Sequence, residues 1–237
     1  MAPVQPGSVL ADEVARFNDL AAKWWDPAGP MRPLHAMNPV RVEWIDSRVL
    51  ARFGSPQRVL DLGCGAGLAA EALAARGHAV LGLDAAPEVI GAARAHAEDH
   101  GVEVDYRVGA AEDLLAEGAR FPVITALEVI EHVADPAAFL RLLAGLVEPG
   151  GLVFLSTLNR TLRSLAVAKI GAEYVLRMLP AGTHDWRRFV TPAELGRLAA
   201  AAGLRLAETS GLLYDLRTGA WRTGRDLAVN YLAMLSA

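Results

Sequence analysis

Glu128, Glu131 and His132 fall within five residues, directly after the apolar run Val123-Ile-Thr-Ala-Leu127. Two carboxylates and an imidazole offer oxygen and nitrogen donors to a hard divalent ion such as Mg²⁺, whose other positions hold water or substrate oxygens. The same kind of string also occurs without any metal, in base or structural roles. On residue types alone, that second reading is the stronger.

A second constellation lies upstream, in Asp61-Leu-Gly63-Cys-Gly65-Ala-Gly67. Glycines at alternate positions permit a tight turn and let a ligand approach the backbone. The spacing is G-x-G-x-G, whereas dinucleotide loops read G-x-G-x-x-G and aim a helix N-terminus at a pyrophosphate. Asp61 is a poor neighbour for a pyrophosphate and a good one for a cationic, sulfonium-bearing amino acid. Asp84 follows about 20 residues later, which suits hydrogen bonds to ribose hydroxyls. Adenosine with a free ribose diol and no phosphate meets both conditions. The combination resembles the class I methyltransferases, which implies S-adenosylmethionine as cofactor; a nicotinamide dinucleotide is the alternative that the spacing disfavours. Cys64 reads as a small space-filler in the loop, because no histidine follows at an activating position.

These residues need strand ends to hold them. Short apolar runs at 58–62, 78–83, 104–108, 123–127 and 151–156 read as strands, with helical stretches at 67–76, 87–100 and 136–147 between them. Strands near 204–210 and 229–232 and a helix over 192–202 complete the pattern. Such alternation predicts an α/β fold, Rossmann-like, with a mostly parallel seven-stranded sheet and helices on both faces. Ligands of such sheets bind beyond the carboxyl ends of the strands. Two helices come first: one over about 12–23, stopped by Trp24-Trp25-Asp26-Pro27, and one beginning after Asn38 as N-cap with Pro39 at its first position. The Trp24–Trp25 pair reads as lid or core packing, and His35 as structural, walling the acceptor pocket.

The length of 237 residues and 53% hydrophobic content allow one sizeable core. No linker or repeat divides the chain, so one domain over 1–237 is expected, with an N-terminal helical lid at about 10–55 and an insertion at about 160–187. The net charge is −4 and the basic residues are scattered, which argues against nucleic acid. The single cysteine rules out an intramolecular disulfide. The first residues lack the basic and apolar regions of a secretory signal, and no apolar run is long enough to span a bilayer. A cytoplasmic protein is therefore expected.

Further strings extend the resemblance. They are Phe17-Asn-Asp-Leu-Ala-Ala-Lys-Trp-Trp-Asp-Pro27, Pro33-Leu-His-Ala-Met-Asn-Pro-Val-Arg41, Ser156-Thr-Leu-Asn-Arg-Thr161, Gly171-Ala-Glu-Tyr174, Gly182-Thr-His-Asp-Trp186 and Val229-Asn-Tyr-Leu232. Together they are similar to the ubiquinone biosynthesis O-methyltransferase family from about Val14 to Leu232, and Trp-Trp-Asp-Pro and Gly-Thr-His-Asp are its most specific parts. The resemblance implies O-methylation of 2-polyprenyl-6-hydroxyphenol and 3-demethylubiquinol. It places cofactor contacts on Arg41, Asp61, Gly63, Gly65, Gly67, Asp84 and Leu127. It also implies a divalent metal, Mg²⁺, on Glu128, Glu131 and His132, and a biosynthetic complex. Glu128 and His132 are thereby candidates for catalysis. His184, paired with Asp185, is a third, as an oriented base or as a polar turn that closes the insertion.

A phenol of ordinary pKa, about 10, is ionised in about one molecule in a thousand at neutral pH, a deficit of roughly 4 kcal/mol. A divalent ion on the oxygen would supply several kcal/mol against it. The apolar segment 162–179, dotted with Arg163, Lys169 and Arg177, suits either a lipid interface or a lid helix on the core. A polyprenyl substrate resides in the bilayer, which favours peripheral membrane contact through this segment. A methyltransferase for another phenol or amine, and a non-catalytic cofactor- or lipid-binding module, are the competing functions.

Overall fold

The computed structural model describes residues 10–166, 186–215 and 217–237. Eight strands form one sheet: β1 (Arg58–Leu62), β2 (Ala79–Asp84), β3 (Asp105–Val108), β4 (Phe121–Leu127), β5 (Val147–Leu158), β6 (Arg205–Asp215), β7 (Ala220–Gly224) and β8 (Asn230–Ser236). Their order is β3-β2-β1-β4-β5-β8-β6-β7. The pairs from β3 through β5 are parallel, whereas β8 pairs antiparallel with β5 and β6, and β6 antiparallel with β7. The strand order reverses between β1 and β4, which opens a crevice at their carboxyl ends.

The eighth strand corrects the expected seven. Ala220–Gly224 forms a hairpin with β6, and none of its residues is fully buried, so it lacks the apolar signature by which the others are recognised.

Helices cover both faces. α1 (Ala11–Asn18), α2 (Arg32–Phe53), α3 (Leu68–Ala74) and α4 (Pro87–His100) pack on one. α5 (Ala111–Ala116), α6 (Pro136–Leu146) and α8 (Pro192–Ala201) pack on the other, and α7 is the short turn Leu162–Ser164. In β1, Val59 enters the first core while Leu60 and Leu62 enter the second, as the two-residue repeat of a strand requires. Asp61 therefore faces the side of α2 and α3.

The start of α2 also departs from expectation. The helix begins at Arg32 with Pro33 in its first turn, and Asn38 and Pro39 lie inside it. Pro39 cannot bond to the carbonyl one turn back. The Asn38 side chain, instead of capping, reaches away to donate to the Leu68 carbonyl at 2.6 Å. The longer helix brings Met37, Asn38 and Arg41 into the interior beside the glycine loop. The first helical stretch ends at Asn18, and a separate 3₁₀ turn spans Ala21–Lys23. Among the described residues, no helix is long and apolar enough to cross a membrane. Most of segment 162–179 lies outside them.

Candidate functional site at the carboxyl ends of the central strands

The β1–α3 loop makes its turn with Gly63, Gly65 and Gly67 at φ of 67°, 56° and 94°, values that side chains disfavour. At Gly65 a Cβ would also stand 2.3 Å from the Trp24 ring, so the loop accepts only glycine beneath that indole.

Strand register sets Asp61 beside Thr125, whose hydroxyl donates to Oδ1 at 2.6 Å. Oδ2 is buried and has no hydrogen-bond partner. Burial pushes this carboxyl up to about 6, against the opposing pull of Thr125 and Arg41. Arg41, itself buried, reaches the same pocket from α2. Its Nη2 donates to Asn38 Oδ1 at 3.3 Å, its Nη1 stands 3.9 Å from Glu128 Oε1, and its Nε is unpartnered. A buried carboxylate oxygen and a buried guanidinium N–H, both unsatisfied, fit a zwitterionic amino acid, with ammonium toward Asp61 and carboxylate toward Arg41.

Arg41, Asp61, Gly63, Gly65 and Leu127 line one pocket together with Trp24, Leu34, Cys64, Leu68, Ala69 and Glu128. Gly67 and Asp84, also expected at the cofactor, are not in this lining. Gly67 is the N-cap of α3. The Asp84 carboxylate accepts from the backbone N–H groups of Gly65 at 3.0 Å and Ala86 at 2.9 Å, so it braces the glycine loop. Lone pairs remain on it for further donors. Burial, reinforced by the nearby Asp61 and Asp84 charges, pushes the Cys64 thiol up, which makes it a poor nucleophile.

At the end of β4 the chain enters an unusual conformation. Glu128 has φ of 57°, the only positive φ outside glycine among the described residues. Such strain persists where surrounding bonds impose it. Here the Glu128 N–H donates to the Ser156 carbonyl at 3.0 Å and hydroxyl at 3.1 Å, and that hydroxyl donates to Glu128 Oε1 at 2.6 Å. Register explains the partner, since Leu127 sits opposite Ser156 in β5. Glu131 is buried, and Thr157 donates to its Oε2 at 2.9 Å. Burial and then the adjacent Glu128 charge hold the Glu131 carboxyl well above the usual range.

His132 turns another way. Its Nδ1 lies 3.2 Å from Glu13 Oε2 of α1, and Phe17 meets its ring edge-on at 5.6 Å. Among the described residues, no group of three His, Cys, Asp or Glu side chains is placed to hold a metal ion. Glu128 and Glu131 adjoin, whereas His132 turns its Nδ1 to Glu13. The structure thus does not assemble the three-residue metal set expected from the sequence. His184, the remaining catalytic candidate, lies outside the described residues.

Several participants were given no chemical role by the sequence. Thr125, Ser156 and Thr157 hold the three carboxylates; Ser156 and Thr157 lie in a string shared with the family, whereas the only signal of Thr125 is a hydroxyl in an otherwise apolar strand. Trp25 Nε1 donates to the Ala66 carbonyl at 2.9 Å, and Trp24 rests on Gly65. His35 Nε2 meets the Trp24 carbonyl at 2.8 Å, so it ties the tryptophan turn in place.

Residues 39–209 match a family model described as a methyltransferase domain. The chain is 50% identical to a ubiquinone biosynthesis O-methyltransferase of Methylobacterium sp. (strain 4-46), over 98% of this chain and 96% of that one. It is 49% identical to the protein of the same name from Azorhizobium caulinodans, over 92% and 90%. Among solved structures it is similar to magnesium protoporphyrin IX methyltransferase from Synechocystis PCC 6803 with bound S-adenosylmethionine. That likeness has a TM-score of 0.60 at 16% identity, covers 96% of this chain and 98% of that one, and shows the shared class I methyltransferase fold.

Proposed function

Because this chain belongs to the ubiquinone biosynthesis O-methyltransferases, we propose that it methylates ring hydroxyls of polyprenylated phenols with S-adenosylmethionine. The acceptors in this reading are 2-polyprenyl-6-hydroxyphenol and 3-demethylubiquinol.

The observation that supports it most is the position of Glu128. Its residue lines the pocket that contains Asp61 and Arg41, and its carboxylate adjoins buried Glu131 on the other side. Cofactor and acceptor would meet there. Asp61 would hold the cofactor ammonium, Arg41 its carboxylate, and Leu127 the face of the adenine. Gly63, Gly65 and Gly67 give the close backbone approach, and Asp84 the ribose contacts.

Methyl transfer forms a bond from the ring oxygen to the methyl carbon as the carbon–sulfur bond breaks. The sulfonium leaves as a neutral thioether, and the hydroxyl proton must pass to a base. Roughly 4 kcal/mol separates a phenol from its phenolate at neutral pH, a gap within the usual reach of a positioned base. His132 would take this proton, while Glu128 would hold the acceptor hydroxyl in line with the methyl group. Residues of 10–55, above all Trp24, would serve as a lid over the cofactor. Segment 162–179 would meet the membrane that holds the substrate. Magnesium rests on the family resemblance alone.

The test is transfer of labelled methyl from S-adenosylmethionine to a short-tailed demethylubiquinol, with Mg²⁺ and then with EDTA. Turnover is expected. Loss with EDTA and recovery with Mg²⁺ would establish the metal, and turnover indifferent to EDTA would leave His132 as the base. Cofactor binding without turnover in either condition would reject the acceptor class.

A further inference from the structure

We infer that Glu13 is a positioning residue for the reaction, orienting the His132 imidazole and fixing which of its nitrogens carries the proton. This rests on the reading that His132 serves the acceptor.

Glu13 lies far from His132 in sequence and carries no motif. It reaches the site because α1, packed against α4, presents Glu13 to the loop that follows β4. The Glu13 Oε2 atom stands 3.2 Å from His132 Nδ1. Phe17, one helical turn further along α1 and therefore on the same face, places its ring edge-on to the same imidazole at 5.6 Å. One helix thus supplies both a carboxylate for the ring nitrogen and an apolar wall for the ring.

The chemistry of the pair follows from what each group can exchange. Oε2 is buried and has no aligned hydrogen-bond donor, and a carboxylate only accepts, so a donor at this position favours the tautomer in which His132 Nδ1 carries the proton. A neutral imidazole has one N–H, which leaves Nε2 with its lone pair. Arg16 Nη2, in the same helix, stands 3.1 Å from the same Glu13 oxygen and helps to hold the carboxylate in place. A carboxylate behind an imidazole is the arrangement by which bases and metal-binding histidines alike are held in one tautomer. It serves the site by keeping Nε2 free to take the proton of the acceptor hydroxyl.

The same helix gives the contact a second consequence. Phe17 also packs on Trp24, at 6.0 Å between ring centroids, and Trp24 covers Gly65 of the cofactor loop. Placement of His132 is therefore coupled to seating of the tryptophan over the cofactor pocket.

The experiment uses the full chain, labelled with ¹⁵N-histidine, with His132 assigned from the signal lost in His132→Asn. The wild type is expected to show His132 as the Nδ1–H tautomer. In Glu13→Ala the Nε2–H tautomer should gain population, and kcat should fall between about 10-fold and 100-fold, the range for supporting groups of this kind. KM for S-adenosylmethionine should change less than about threefold. Glu13→Gln keeps a carbonyl oxygen for Nδ1–H and should recover most of both effects. In the double variant, Glu13→Ala should cost little beyond His132→Asn alone. Unchanged tautomer and kcat in Glu13→Ala, with His132→Asn inactive, would overturn the role of Glu13 and leave His132 in place. Full activity in His132→Asn would overturn the reading of His132 itself. A loss in Glu13→Ala with the wild-type tautomer retained and no recovery in Glu13→Gln would make Glu13 merely structural.

Discussion

Asp61 sits where water does not reach it, with one oxygen bonded to Thr125 and the other to nothing. Its carboxyl, ordinarily at 3.8, is pushed up to about 6 by that burial. As pH rises, the unfolded chain gives up this proton first, so the group's contribution to folding declines from about pH 4 and is fully lost above about pH 6. The loss amounts to about 3 kcal/mol. A cofactor ammonium paired with Asp61 favours the ionised form, so binding should tighten with pH and release a proton. Between about pH 5 and pH 7 the affinity should rise about tenfold, because the ionised fraction does. Calorimetry in two buffers of different ionisation heat measures both quantities. Asp61→Asn should flatten the pH profile and weaken binding, and an affinity independent of pH would place the ammonium elsewhere. At this scale the sequence was informative wherever chemistry sat at a strand end: Asp61 and Glu128 were legible from residue type and spacing. The direction His132 faces was not, because Glu13 is distant in sequence and meets it only once α1 packs in the folded chain.

Helix α2 does what its proline argues against. Pro39 suggests a helix start, yet the helix runs from Arg32 through it. The preceding turn, by contrast, is fixed by long-range contacts that local propensity cannot report. The indole N–H of Trp25 donates to the Ala66 carbonyl. Its ring stacks on His96 at 3.3 Å, and His96 in turn meets Glu71 of α3 at 2.9 Å. This anchor ties the N-terminal helices to the glycine loop without touching Glu128 or His132. Trp25→Phe keeps most of the stack and leaves the Ala66 carbonyl without its donor. It should lower stability by about 1 kcal/mol, raise KM for S-adenosylmethionine severalfold and leave kcat within about twofold. Thermal melts and initial rates check these, and an effect on kcat alone would detach the turn from the cofactor. The hairpin of β6 and β7 was illegible for a different reason. It pairs Tyr214 with Trp221 and Leu213 with Arg222 at the sheet edge, where half-exposed residues give no clean alternation.

For the whole molecule, the proposed function asks the sheet to bring a water-soluble cofactor and a polyprenylated acceptor to one point. The five parallel strands fix the cofactor end, and their connectivity was readable because buried strands and covering helices alternate in the sequence. The proposed acceptor end includes residues 162–185, whose composition suits a lipid interface. The described residues that flank this segment are bonded to each other. Trp186 Nε1 donates to the Thr161 carbonyl at 2.9 Å, and Arg160 donates to the Arg187 carbonyl at 3.2 Å. Arg160 also pairs with Glu194 of α8. The two flanks thus lie side by side, held by their own bonds. Loop-closure entropy varies only slowly with loop length, so a shorter connection should cost little stability. Replacing 167–179 by a short glycine-serine linker, with Gly182-Thr-His-Asp185 kept, should leave melting and S-adenosylmethionine binding near wild type. Sedimentation with anionic phospholipid vesicles should be lost, because both the apolar surface and Lys169 and Arg177 are removed. Turnover of a tail-less acceptor in solution should persist, and turnover of a long-tailed acceptor in vesicles should fall by an order of magnitude or more. Vesicle binding that survives the excision would move the membrane contact to another face. Loss of the tail-less reaction as well would instead make the segment a wall of the acceptor pocket.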